Sequence, residues 1–138
     1  MLLYLIGVVD NGAALGPDVP VDQHQTLRYP LGANATIRLT VVDNSGVAVD
    51  LTGCTCALEI KRNPLDLVPV IPRKTAVNVP SLGKNVADFT FVPTDFAYVP
   101  TGPGRYMYEV WLTDAASKRS PIVPLSVWLL QAAIVLPP

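Results

Sequence analysis

The sequence predicts an all-β fold, an Ig-like or jelly-roll-like antiparallel β-sandwich with apolar arms at both ends. Three observations predict it. Fourteen prolines and nine glycines punctuate the 138 residues at short intervals, and no window keeps a long helical hydrophobic period. Between these breakers lie roughly seven β-branched or alternating runs, the strand count of a sandwich. There is no internal repeat, and the length suits one domain with its own core.

Each element has a local reason. Residues 2–9 form an apolar run that Asp10-Asn11-Gly12 ends as a turn. A polar, proline-containing connector over 16–25 leads to a short run at 26–29. In 35–42, Ile37, Leu39 and Val41 oppose Thr36, Arg38 and Thr40, the period of a half-buried strand. Asp43-Asn44-Ser45-Gly46 follows as a turn, because Asn and Gly tolerate positive φ. The next strand covers 54–61 and stops at Asn63-Pro64, since proline cannot donate to a ladder. Residues 73–79 and 86–92 read as a hairpin joined by 80–85. Residues 93–104 are turn-rich, with room for one helical turn at 94–98. Residues 105–113 alternate clearly, with Tyr106, Tyr108, Val110 and Leu112 against Arg105, Met107, Glu109, Trp111 and Thr113. A polar turn at 114–120 precedes one long strand or two short ones over 122–136. The division expected is an arm at 1–25, adding a strand to this subunit or a neighbour, and a sandwich domain at 26–138.

Composition narrows the function. A net charge of −1 and a pI near 5.6 argue against a general nucleic-acid binder, which needs a basic face. Only 15% of residues are charged, against about 25% in an average soluble domain. Mean hydropathy is +0.37. So few charges leave part of the surface to be covered by a partner. The N-terminal run lacks the basic start and small-residue cleavage site of a signal peptide. The uncharged tail after Arg119 is broken or bounded by Pro121, Pro124, Ser126, Gln131, Pro137 and Pro138, so it reads as a buried or covered strand rather than a membrane anchor.

The residues for chemistry are sparse. Cys54 and Cys56 share the apolar side of their run and read as small core hydrophobes, because a disulfide across so short a ring is strained. His24 is the one histidine and sits in a polar stretch, so neither a catalytic triad nor a metal site assembles around it. Gly102-Pro103-Gly104 is a turn, since proline removes an amide that a phosphate cradle would use. Asp88, Asp95, Glu109 and Asp114 read as scattered turn and strand acids, and Asp43, Asn44 and Asp50 as turn residues rather than a calcium loop. The expectation is no enzyme, no cofactor and no metal. The doublets Lys61-Arg62, Arg73-Lys74 and Lys118-Arg119 read as solvated strand ends that deter edge pairing, or as a rim for an acidic partner. Trp111 lies opposite Tyr106 and Tyr108, so it and Trp128 are either core residues or interface anchors.

A family resemblance rests on ordered words. The strand at 35–42, the turn 43–46, the step Asp50-Leu51-Thr52-Gly53 and the strand at 54–60 come first. Ala87-Asp88-Phe89-Thr90-Phe91, Pro93-Thr94-Asp95, Pro103-Gly104-Arg105-Tyr106-Met107-Tyr108-Glu109-Val110 and Thr113-Asp114-Ala115 follow. In this order, over about residues 33–128, they resemble the N-terminal Ig-like domain of phage baseplate upper proteins and related tail and fibre proteins. The resemblance implies a structural protein of a tailed-phage virion, assembled in the host cytoplasm. Local physics accounts for the same words: Leu51 plugs the sheet, Gly53 permits a bend, and Gly104 opens a strand.

The chain departs from that family in two ways, an apolar extension in front and no fibre-forming region behind. Both favour a stand-alone subunit, a capsid decoration (cement) protein bridging seams of the shell. Its partners would be the major capsid protein or other virion subunits and further copies of itself, as dimer or trimer, with neither nucleic acid nor membrane. A baseplate or fibre-attachment adaptor is the second reading, and a cell-surface Ig-like binding module the third. The expected interface comprises Leu2, Leu3, Tyr4, Leu5 and Ile6 of the arm, Leu65, Leu67, Val68, Val70 and Ile71 of the proline-rich excursion, Trp111, and Trp128, Leu129, Leu130, Ile134 and Val135 of the tail. Deleting residues 1–9 is expected to leave the sandwich folded and abolish particle binding.

Overall fold

A computed structural model describes residues 2–9, 25–30, 34–62, 71–92, 95 and 104–131. The strands among these are β1 (Leu2–Val9), β2 (Leu27–Pro30), β3 (Ala35–Asp43), β4 (Thr55–Lys61), β5 (Ile71–Thr75), β6 (Val77–Asn78), β7 (Val86–Phe91), β8 (Gly104–Thr113) and β9 (Arg119–Gln131). They form an all-β sandwich of two sheets, ordered β1-β3-β7-β6 and β2-β9-β8-β4-β5.

The sheets are mixed, which corrects the wholly antiparallel sandwich expected. β1 runs parallel to β3, with Leu5 beside Leu39, and β2 runs parallel to β9, with Leu27 beside Trp128. Parallel neighbours need a crossover. Here the chain leaves β1, contributes β2 to the opposite sheet and returns as β3, so β1 and β3 point the same way.

The alternations map onto the two layers. Ile37, Leu39 and Val41 of β3 and Tyr106, Tyr108, Val110 and Leu112 of β8 all turn into the core. Leu51 is fully buried, held by its amide donating to the Lys84 carbonyl at 2.9 Å. Gly53 beside it takes φ +76°, where a Cβ would be strained. β6 and β7 form the expected hairpin, with the Val79 amide donating to the Val86 carbonyl at 2.9 Å. Arg73 and Lys74, however, belong to β5 in the other sheet. The run 73–79 is therefore two strands, and the chain changes layer at Ala76 to close one side of the sandwich. β9 is one strand, whose pairing with β8 shifts register around Val110. Pro124 lies in this stretch and has no amide to give the ladder.

β1 belongs to this subunit's own sheet. Leu5 is 1% exposed and joins the core. Gly7 lies so close to β9 that a Cβ there would sit 2.9 Å from Ile122 Cδ1 and 3.3 Å from Leu39 Cδ1. The missing side chain lets β1 settle onto the opposite sheet.

Candidate functional site

The outward side of β1 is the most apolar exposed surface among the described residues. Leu2, Tyr4 and Ile6 are 39%, 67% and 54% exposed, at alternate positions of a strand with no charged residue. Val47 and Leu82 are exposed singly outside the strands and Val77 on the two-residue β6, which is ordinary for a soluble surface. β1 is also the edge of its sheet. Next to it, Arg38 donates to both carboxylate oxygens of Asp88, at 3.0 and 3.1 Å. Asp88 holds the Arg38 guanidinium above its usual pKa, so the neighbouring outer face is polar and internally paired.

Gln25 clips the β1 edge to the other sheet. Its side-chain carbonyl accepts from the Ile6 amide at 2.8 Å, and its Nε2 donates to the Ile6 carbonyl at 2.6 Å. Its backbone amide donates to Ser126 Oγ at 3.3 Å, and its carbonyl accepts from the Tyr108 hydroxyl. Burial pushes the Tyr108 phenol above its usual range, which keeps it protonated as that donor. Nothing in the sequence marks Gln25, because its partners lie 19, 83 and 101 residues away.

The outer face of β4 and β8 carries an ion cluster. Glu59, nearly buried, pairs with Arg73, with Lys61 at 3.8 Å and with Arg119 at 3.9 Å. Lys61 also reaches Glu109 at 3.5 Å. Arg119 stacks 4.5 Å above the Trp111 ring. One member of each basic doublet therefore folds onto this face. The signal was visible only in outline, as an acid in a strand flanked by basic pairs. The four carboxylates considered for chemistry stay apart: Asp88 on Arg38, Asp95 on Lys74 at 2.8 Å, Glu109 on Lys61, and Asp114 on the Ala116 and Lys118 amides at 2.9 and 2.8 Å. Asp43 and Asp50 accept from amides of their own turns, and Thr52 holds the Asp50 carboxyl below its usual pKa through its amide and hydroxyl.

The expected interface residues separate accordingly. Leu2, Tyr4 and Ile6 are on the surface, and Leu3 is half-buried against the core. Leu5 and Trp128 are corrected: both are core residues, at 1% and 0% exposure, because the inward period of β1 and β9 claims them. Trp111 is half-buried beneath Arg119 and Leu129 half-buried on β9. Ile71 opens β5 and Leu130 lies near the end of β9, pairing with Gly104. Leu65, Leu67, Val68, Val70, Ile134, Val135 and His24 lie outside the described residues, as does most of 94–98.

The two cysteines differ sharply. Cys56 is buried, and desolvation, with Cys54 adding a smaller effect, pushes its thiol up to about 12; Cys54 is half-buried. A thiol-disulfide reagent at pH 8 should therefore modify one thiol of the native chain, Cys54, and the second only after denaturation. Peptide mapping of the labelled chain checks this, and rapid native labelling of Cys56 would contradict its burial.

No protein-family model matches the chain, and no curated protein is significantly similar in sequence. Several solved structures are similar in shape, three of them as follows. The N-terminal domain of phage TP901-1 ORF48 gives a TM-score of 0.44 at 9% identity, covering 97% of this chain and 100% of that one. A cysteine protease inhibitor from Entamoeba histolytica gives 0.36 at 12%, covering 94% and 96%. An inclusion body protein from Burkholderia cenocepacia gives 0.33 at 12%, covering 97% and 94%. Likenesses of this size carry no argument about what the chain does.

Proposed function

We propose that this chain is a non-enzymatic structural subunit of a tailed-phage particle, a capsid decoration protein that docks on shell subunits through the outward side of β1. The observation that carries the reading is the cluster of Leu2, Tyr4 and Ile6 on an uncharged edge strand. The neighbouring surfaces support it by contrast. Arg38 and Asp88 pair with each other beside Tyr4 on the same sheet, and the Glu59 cluster holds its charges on the outer face of the other sheet, while β1 itself presents only uncharged side chains. An apolar surface rimmed by polar groups suits a lasting interface. The ordered sequence resemblance over residues 33–128 supplies the phage context.

Quantitative mass spectrometry of purified particles tests the assignment. About one copy per shell subunit, or a simple fraction of it, is expected for decoration. A handful of copies would overturn decoration in favour of a tail adaptor, and absence would overturn the virion reading. The surface is tested by the double variant Tyr4→Ser, Ile6→Ser, which trims apolar side chains but keeps every backbone group of β1. It should melt like the parent and bind particles at least tenfold more weakly; unchanged binding would remove β1 from the interface.

A further inference from the structure

We infer that the outer edge of β1, which no described strand pairs with, joins antiparallel with β1 of a second copy, making two four-stranded sheets into one sheet across a two-fold axis. The Gln25 clip shows which way the backbone faces. Both hydrogen-bonding groups of Ile6 point off the edge to Gln25, and in a strand alternate residues share that direction. Leu2 and Tyr4 therefore also turn their amides and carbonyls outward, and no described residue pairs with them.

The other three edges are protected against such pairing. β6 is two residues long. β5 carries Pro72, Arg73 and Lys74, and β2 is four residues long with Arg28 and Pro30. Short length, charge and proline are the usual means of blunting an edge. β1 is eight residues long and has none of them.

A second copy suits this edge because the strand is self-complementary. An antiparallel pair about a two-fold axis sets side chains of β1 only against others of the same uncharged strand, so no like charges meet. Gln25 fixes the extent. With Ile6 sealed, Leu2 pairs with Tyr4 of the second copy and Tyr4 with its Leu2, giving about four backbone hydrogen bonds. Releasing Gln25 would free Ile6 and allow a shifted register, Leu2 opposite Ile6 and Tyr4 opposite Tyr4, with a longer ladder.

Sedimentation equilibrium of the full chain tests this, with two variants. The wild-type chain should form a reversible dimer. Tyr4→Pro removes an amide that faces off the sheet and leaves the bonds to β3 intact, so it should fold, by circular dichroism, yet dimerise at least tenfold more weakly. Gln25→Ala keeps the backbone bonds to Tyr108 and Ser126, uncovers Ile6, and should dimerise at least tenfold more tightly. If Tyr4→Pro does not fold, the Gln25→Ala result alone decides. A wild-type chain monomeric up to about 1 mM overturns the pairing, as does a dimer that neither variant alters. A monomer that still docks on particles would overturn this inference and leave the proposed function standing.

Discussion

Trp128→Ala should cost about 3–5 kcal/mol of folding stability, the usual range for truncating a large buried aromatic. The ring is fully buried between the sheets, 5.5 Å from Phe91 of the first and 5.7 Å from Tyr108 of its own, the latter edge-on. Truncation would remove both aromatic contacts and leave a cavity beneath Leu27, its neighbour across the parallel β2–β9 pair. Against a total of about 5–15 kcal/mol for a domain, that loss shifts the denaturation midpoint severely. Urea unfolding followed through Trp111, which the variant retains, measures it. A loss below about 1 kcal/mol would place Trp128 outside the core and restore it as a surface anchor.

That Trp128 was ambiguous in sequence has a physical cause. Residues 122–136 are apolar on both sides of the strand, so a period of two gives no direction. In 35–42 and 105–113 polar residues occupy one side, and the inward set was legible residue by residue. Burial of Cys56 followed from the same alternation, and the plug at Leu51 from the Asp50–Gly53 step between strands. What could not be read were pairings between distant segments. The parallel course of β1 along β3 depends on where β2 goes, and the layer change at Ala76 depends on β4 and β7 taking opposite ends of one run. Glu59 lies on the outward side of β4, but two of its three cations come from β5 and β9. On the candidate site, which of residues 2–6 turn outward was not legible, because β1 too is apolar on both sides: Leu2, Tyr4 and Ile6 are exposed while Leu5 is buried. Nor was the clip at Gln25 legible, since a glutamine in a connector carries no signal of the carbonyl or amide it will meet.

Burial of the two acidic protons adds a pH dependence. In the folded chain Cys56 and Tyr108 are harder to ionise than when unfolded, so their contribution is complete below the unfolded pKa values of about 9 and 10 and falls as pH rises. Each group costs up to about 1.4 kcal/mol per pH unit above its own threshold. Alkaline unfolding should therefore start above about pH 9, and Cys56→Ala should remove the part that begins there. Melting temperatures between pH 7 and 11 check this.

Leu5→Asp should destabilise the chain by more than about 4 kcal/mol, whereas Tyr4→Asp one residue away should stay within about 0.5 kcal/mol. The contrast follows from the two sides of β1. Leu5 is 1% exposed among core side chains, where an ionised carboxylate finds no partner, while Tyr4 is 67% exposed beside Arg38. Deleting residues 1–9 should be worse than either. It strips the edge of β3 over eight residue pairs, uncovers Ile122 beneath Gly7 and releases the Ile6–Gln25 clip that ties the sheets together. The deletion therefore cannot serve as a clean test of docking, contrary to the expectation for a detachable arm. Thermal melts of the two point variants decide between the descriptions. If Leu5→Asp proves as harmless as Tyr4→Asp, β1 is not held in the sandwich in solution, and the whole segment becomes available to a partner. If only Leu5→Asp unfolds, β1 is a fixed strand, and any partner must meet it through its outward side and edge.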